Sequence, residues 1–129
     1  MPSSNPRDMI GYGPRPPDPH WPGGAKLALQ IVLNYEEGSE KCVLDGDAGA
    51  ETFLSEMINA PDVPGARHMS MESLYEYGAR AGVWRLLELF RKHQIPVTLF
   101  AVALALDRNR AVAEAALKDG HEICSHGYR

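Results

Sequence analysis

Residues 31–38, Ile-Val-Leu-Asn-Tyr-Glu-Glu-Gly, decide the fold of this chain. They end an apolar run that starts at Leu27 and stops at two adjacent carboxylates, Glu36 and Glu37, followed by a glycine. Short apolar runs bounded by turn residues are typical of strands, so Lys26 to Tyr35 is predicted as a strand buried on both faces. Ligands meet α/β folds at the carboxyl ends of strands, which makes the two carboxylates candidate site residues.

Strand-like and helical patterns alternate through the rest of the chain. The clearest helix is predicted over 82–93, where apolar residues recur at helical spacing. The polar segment Arg67 to Tyr77 is left open between an irregular segment whose polar groups satisfy one another and a loop that lends polar groups to a site. The other predicted elements are a helix over 51–60 with Phe53, Leu54, Met57 and Ile58 as its stripe, a strand over 97–102, a helix over 110–118 and a strand over 121–125.

This alternation predicts an α/β fold whose strands run parallel and are joined by crossovers. The strand ends then share one sheet edge, and that edge receives Glu36, Glu37 and His126. A carboxylate and a histidine on one rim can act as general base and acid. The same groups are ligands of zinc-type sites, so the residues alone leave catalysis and metal binding both open. Three parallel strands do not close a fold, so the chain up to Arg129 is predicted to be a truncated, partial (β/α) barrel.

Composition limits the possible partners. The chain has 129 residues, 44% of them hydrophobic, and a net charge of −4 without a basic cluster, which argues against nucleic-acid binding. No apolar stretch approaches the roughly 20 residues needed to span a bilayer, so no membrane partner is expected. No secretory signal is visible, and Cys42 and Cys124 form no C-x-x-C pair, which favours a cytoplasmic protein with free thiols. Residues 1–24, rich in proline and glycine, are predicted as an extended arm, and 25–129 as the barrel portion.

Two of these motifs resemble the polysaccharide deacetylase (NodB-like) superfamily. Residues 34–38 stand where that superfamily carries Thr-Phe-Asp-Asp-Gly, and 121–126, His-Glu-Ile-Cys-Ser-His, look like its Gly-His-Glu-Ile-x-Ser-His motif. More closely, the whole chain is similar to the N-terminal part of the bacterial urate-catabolism allantoinases of that superfamily. The stretches that carry this second resemblance are 7–13, 32–38, 67–73, 75–78 and 119–129.

The resemblance implies a hydrolase of purine catabolism that opens the hydantoin ring of allantoin to give allantoate. Glu36 matches the catalytic base of the superfamily motif, Glu37 matches a metal-ligating aspartate, and His126 matches the first metal-binding histidine. All three are predicted catalytic residues: Glu36 or Glu37 activates the attacking water, and His126 stabilises the developing charge or protonates the departing nitrogen. The second histidine of the motif would fall beyond Arg129. Each glutamate is one methylene longer than the aspartate it replaces, and the allantoinase branch works without metal, so no cofactor is expected.

The implied substrate is a small cyclic ureide. Arg67, Arg129 and Tyr35 are its predicted contacts, because a guanidinium can hold carbonyl or ureido groups by forked hydrogen bonds. Members of the family are homo-oligomeric, and the arm at 7–22 is a candidate contact between subunits.

Two alternatives are kept. In the first, the protein is a metal-dependent polysaccharide deacetylase or cyclic imidase, with zinc or another divalent metal held by Glu37 and His126. In the second, the chain is a catalytically incomplete fragment whose open sheet edge pairs with another chain, so that it acts only as an assembling module.

Overall fold

Three parallel strands form one sheet in this computed structural model, which describes residues 6–53 and 55–129. The strands lie in chain order as β1 (Val32–Tyr35), β2 (Thr98–Ala101) and β3 (Glu122–Ser125). The register aligns Tyr35 with Ala101 and Ala101 with Ser125, so the three strands end level with one another. The predicted α/β architecture with parallel strands is confirmed, and the sheet is open and does not close into a barrel.

Four α-helices accompany the sheet in the part of the chain that the structure describes. They are α1 (Met69–Tyr77), α2 (Val83–His93), α3 (Ala103–Arg108) and α4 (Arg110–Lys118), and a π-helical turn at Gly78–Gly82 joins α1 to α2. Short 3₁₀ turns occur at Pro22–Gly24 and Val43–Asp45. Within the described ranges, no helix combines the length and apolarity needed to cross a membrane.

The core lies between one face of the sheet and the helices α2 to α4. Leu99 and Ala101 are buried while their neighbours in β2 are only partly so, because successive side chains of a strand point to opposite faces. The predicted stripe on α2 meets this face through Val83 and Leu87. The buried members of the cluster are Tyr35, Val83, Leu87, Leu99, Ala101, Val102, Ala105, Val112 and Ala116.

Helix α3, which the sequence did not predict, follows β2 directly. Its first amide groups find partners in the segment after β3, since Ala103 N donates to Gly127 O (2.9 Å) and Leu104 N to Tyr128 O (3.0 Å). These bonds satisfy helix-terminal donors that have no partner within the helix. Asn109 separates α3 from α4, and both helices contribute buried residues to the core.

The first strand is shorter and more exposed than predicted. It covers four residues instead of the ten from Lys26 to Tyr35, and Leu27 and Leu29 are 75% and 78% exposed. The prediction that this strand is buried on both faces was wrong. The helices cover only one face of the sheet, and Val32 on the other face is 48% exposed. Apolar composition gave the strand its type, but pairing with β2 over only four residues set its length.

The helix predicted over 51–60 is not formed. The described residues of this segment are turns, bends and irregular chain, and Phe53 and Ile58 are 74% and 86% exposed. Short helices depend on tertiary packing of their apolar side, and the exposed Phe53 and Ile58 do not have such packing. Leu54 lies outside the described residues, as do residues 1–5 of the predicted arm; residues 6–24 are exposed.

The segment Arg67 to Tyr77 is mostly helix α1, so both predictions of non-helical structure were wrong. His68 caps the helix with its side chain, since Nδ1 accepts a hydrogen bond from Met71 N at 3.4 Å. Glu72 lies in the first turn, where a negative charge is favourable to the helix dipole. Helix α1 ends at Tyr77 and passes directly into the π turn.

Candidate active site at the carboxyl edge of the sheet

A tight turn places the two carboxylates at the end of β1. Ser39 N donates to Glu36 O at 3.0 Å and closes the turn over 36–39, while Ser39 Oγ donates to the same oxygen at 2.6 Å. Gly38 has φ of +99°, in the region that favours glycine, as the third residue of such a turn requires. The Glu-Glu-Gly order therefore folds the chain back directly after the strand and leaves both carboxylates at the rim.

Glu36 and His126 meet across the sheet edge. Nε2 of His126 lies 3.3 Å from Oε1 of Glu36, and the two side chains are 38% and 50% exposed. The two residues follow the level ends of β1 and β3, and β2 lies between those strands. The prediction that the strand ends converge is borne out for this pair of residues.

Two further side chains, neither predicted, hold the pair in place. Asn34 Nδ2 donates to Oε1 of Glu36 at 3.2 Å, and the ring of Phe100 lies 4.1 Å from that of His126, centroid to centroid, at an interplanar angle of 36°. Asn34 precedes Glu36 by two residues, which in an extended chain places both on one side, and this spacing could have been read from the sequence. Phe100 is paired with Asn34 in the sheet register, which the sequence did not indicate.

Glu37 points toward the π turn between α1 and α2. Its Oε2 accepts a hydrogen bond from the backbone amide of Glu36 at 3.2 Å, and its side chain lies against Gly78. Glu37 is thus a neighbour of the Glu36–His126 contact, bonded to the backbone of the residue that makes it.

Tyr35 is buried directly beneath the rim. It is 1% exposed, and its hydroxyl accepts a hydrogen bond from Asn109 Nδ2 at 3.2 Å. Burial raises the pKa of the Tyr35 hydroxyl; the bond from Asn109 lowers it, and the charges of Glu37 and Glu40 raise it further. Tyr35 therefore supports the end of β1 from the core side.

The two predicted substrate arginines are engaged with acidic side chains. Arg67 Nε donates to both carboxylate oxygens of Glu72, at 3.0 and 3.1 Å, and these bonds lower the pKa of that carboxyl group. Arg129 forms ion pairs with Asp47 and, at 3.9 Å, with Asp45. The guanidinium groups are therefore fixed beside the loops around the rim, and their contact with substrate stays a prediction.

Arg108 fastens the loop that follows the acidic pair. Nη1 donates to Gly38 O at 2.6 Å, while Nη1 and Nη2 donate to the carboxylate of Asp45 at 3.0 and 2.7 Å. The hydrogen bonds from Arg108 lower the pKa of Asp45, and the charges of Arg108 and Arg129 act in the same direction. Arg108, the last residue of α3, thus binds the carbonyl of Gly38, the residue directly after Glu37.

The described residues do not form a divalent-metal site by themselves. Within 6–53 and 55–129, no three His, Cys, Asp or Glu side chains are grouped closely enough to hold an ion. The pair considered for zinc, Glu37 and His126, would supply two ligands of the usual four. Each is turned toward Glu36, Glu37 to its amide and His126 to its carboxylate.

Comparison with known proteins relates the chain to polysaccharide deacetylases. The family model for polysaccharide deacetylase matches residues 67–129. A curated Schizosaccharomyces pombe protein named "Putative polysaccharide deacetylase" is 43% identical over 126 residues, which are 95% of this chain and 39% of that protein. The superfamily relationship predicted from the motifs is thereby confirmed.

Two solved structures are similar across nearly the whole chain. A "probable Polysaccharide deacetylase" from Pseudomonas aeruginosa PAO1 has a TM-score of 0.86 at 66% identity, and a structure titled PuuE allantoinase has 0.85 at 62%. In both cases the match covers 96% of this chain and 41% of the other. The chain therefore spans about two fifths of the length of the relatives that it matches.

Proposed function

We propose that this chain carries part of the active site of a hydrolase that opens a cyclic amide, with allantoin as substrate and allantoate as product. The observation that carries the proposal is the contact between Glu36 and His126 at the edge of the sheet. The similarity to a structure titled PuuE allantoinase, at 62% identity, supports allantoin as the substrate.

In the proposed mechanism, Glu36 is the general base that takes a proton from the attacking water. Asn34 orients the carboxylate of Glu36 through the hydrogen bond that its Nδ2 donates to Oε1. As water adds to a ring carbonyl, negative charge develops on the oxygen and the ring C–N bond weakens. His126 supplies the proton that the departing nitrogen needs, which it can do from the same edge.

Glu37 has a supporting part in this mechanism. Its bond from the Glu36 amide fixes the backbone on which the base stands. The aromatic ring of Phe100 limits how far the imidazole of His126 can swing. The two residues keep the base and the acid at one separation, so that both proton transfers need little reorganisation.

The test compares two isosteric substitutions in the full-length protein. Glu36→Gln is expected to lower kcat for allantoin by about a hundred- to ten-thousandfold, the usual contribution of a general base. Glu37→Gln keeps an oxygen that can accept the Glu36 amide bond, so it should lose much less. Full activity in both variants, or no turnover of allantoin by the wild-type protein, would contradict the proposal.

Chelation tests the metal-dependent alternative in the same assay. We expect turnover to persist after dialysis against a chelator, since in the proposed mechanism the carboxylate of Glu36, which contacts His126, activates the water without a metal. Loss of turnover that added zinc or another divalent metal restores would instead favour a metal-dependent deacetylase or cyclic imidase.

We also propose that the protein is a cytoplasmic homo-oligomer. The arm supports the homo-oligomer, because Ile10 and Tyr12 are 92% and 74% exposed and another subunit could cover them. Light scattering of the wild-type protein and of Ile10→Ser tests the contact: the variant should dissociate to a smaller species, and an unchanged mass would contradict it.

A further inference from the structure

Gly78 leaves space that the carboxylate of Glu37 occupies. A Cβ added at Gly78 would lie 2.8 Å from Cδ and 2.9 Å from Cγ of Glu37, and closer still to Oε1. Real Cβ atoms do not approach neighbours so closely. The backbone at Gly78, with φ −55° and ψ −53°, is ordinary right-handed helix that any residue adopts. The absence of a side chain at Gly78 therefore leaves room for Glu37, which would have to move if a Cβ were added, whereas the backbone conformation does not call for glycine.

The wall that Glu37 touches is anchored. Val83 N donates to Gly78 O, five residues back, which makes Gly78–Gly82 a π turn. Asn109 Nδ2 donates both to Ala79 O in this turn, at 3.3 Å, and to the hydroxyl of Tyr35, at 3.2 Å. The turn is thus tied to the last residue of β1, next to Glu36, and cannot easily retreat from a larger side chain.

We propose that Gly78 is a positioning residue for the acidic pair. The bare Cα of Gly78 on one side and the Glu36 amide on the other confine the Glu37 carboxylate. A methyl group at 78 would rotate Glu37 off the Glu36 amide and disturb the contact between Glu36 and His126. This inference rests on the proposed function only for its effect on turnover, because the effect on Glu37 is structural.

Gly82 is the matched control. It belongs to the same π turn and has nearly the same backbone, φ −59° and ψ −51°. A Cβ at Gly82 would meet atoms of Tyr77 at 3.6 Å or more, which is ordinary contact. Both substitutions to alanine favour the helix equally through the unfolded chain, so their difference isolates the contact with Glu37.

The experiment compares Gly78→Ala with Gly82→Ala in the full-length protein. Gly78→Ala should lower kcat for allantoin about a hundredfold, the scale on which a misplacement of about 1 Å acts, with a smaller change in KM. It should also shift the ¹³Cδ resonance of Glu37, which Glu37→Gln identifies by its loss from the spectrum of glutamate-labelled protein. Gly82→Ala should leave both as in the wild type. Equal effects of the two alanines on both readouts would overturn the proposal.

Removing the Glu37 side chain beyond Cβ provides the rescue. In a Glu37→Ala background the three atoms that a Cβ at 78 would meet are absent, so adding Gly78→Ala should lower kcat by less than about a further twofold. The same rescue covers poor folding of Gly78→Ala, since the double variant should again be soluble and helical. An equal loss of kcat from Gly78→Ala in both backgrounds would overturn the proposal.

The carboxylate resonance needs no turnover, so the two proposals can fail separately. If the wild type does not hydrolyse allantoin while Gly78→Ala alone shifts the Glu37 signal, the function is wrong and the positioning is supported. If allantoin is hydrolysed and the Glu37 signal is the same in both alanine variants, the positioning is wrong and the function stands.

Discussion

The two faces of the sheet differ in cover and in chemistry. The face toward the helices carries Leu99, which is fully buried, and its register partners Leu33 and Ile123, which pack against the same core. The opposite face carries exposed or half-exposed side chains, most of them polar or aromatic, namely Val32, Asn34, Thr98, Phe100, Glu122 and Cys124.

Residues that stabilise the core and residues that contact the candidate site therefore occupy alternate positions of the same short strands. Asn34 and Phe100 lie on the open face and contact the two candidate catalytic side chains, while Tyr35 and Leu99 beside them lie in the core. Thr98 and Glu122 bond to each other on the open face, Oγ1 to Oε2 at 2.8 Å, away from the rim. Substitutions on the two faces should therefore change different measurements.

The largest effect is expected at the rim. His126→Ala should lower kcat for allantoin by about a hundred- to ten-thousandfold, because the leaving nitrogen loses its proton donor. The side chain is 38% exposed, so the melting temperature should change little. Steady-state kinetics and thermal denaturation measure the two quantities. His93→Ala, at the exposed end of α2, is the control. A large drop in the melting temperature of His126→Ala would contradict the division of stability and chemistry between the two faces.

The next largest effect is expected in the core. Leu99→Ala should lower the free energy of unfolding by about 2–5 kcal/mol, because a fully buried leucine leaves a cavity. Val32→Ala, on the open face and 48% exposed, should cost under about 1 kcal/mol. Denaturant titrations of both variants measure this difference, and similar losses would mean that the open face is covered as well as the other.

A smaller effect is expected where the open face supports the site. Phe100→Leu keeps an apolar side chain but removes the ring that lies on His126, a kind of contact worth about 0.5–1.5 kcal/mol. We expect kcat to fall by about three- to tenfold and the free energy of unfolding by no more than about 1.5 kcal/mol. An unchanged kcat would show that the imidazole of His126 does not need this contact.

The smallest effect concerns acid stability and the loop after the pair. Arg108 holds the pKa of Asp45 below its usual value, so the bond stabilises the fold above the unfolded-state pKa of about 3.9. That stability is lost as the pH falls through the lower, folded-state pKa. Asp45→Asn should therefore flatten the fall of melting temperature between about pH 5 and pH 2. A variant curve parallel to that of the wild type would contradict this contribution.

Long periodic segments were predictable from the sequence because their signal and their packing agree. Helix α4 was predicted over 110–118 and is formed there, and α2 begins one residue from its predicted start. In both, the apolar stripe is the side that meets the sheet. The segment 51–60 has such a spacing in sequence, but Phe53 and Ile58 are exposed and no helix forms. Helix α1 has caps and helix-forming residues without a strong apolar stripe.

The site was predictable only to the extent that strand ends define it. Parallel pairing was enough to predict that Glu36 and His126 lie near each other. The roles of Asn34, Phe100 and Gly78 depend on register and on the distance between a helix and a side chain, and neither quantity is written in one sequence. Tyr35 was assigned to the substrate, yet the pleat of β1 turns it into the core.

The hydrogen bond from His126 N to Ala101 O, at 2.9 Å, extends the ladder of β3 by one residue past its end. The main chain of His126 is therefore as fixed as a strand, while its ring, in contact with Phe100 on one side, is partly exposed to solvent. A proton can be exchanged between this ring and solvent without the movement of a hinge or a loop. The backbone amide of His126 should therefore be among the slowly exchanging amides in a hydrogen-exchange experiment, although its side chain exchanges protons with solvent.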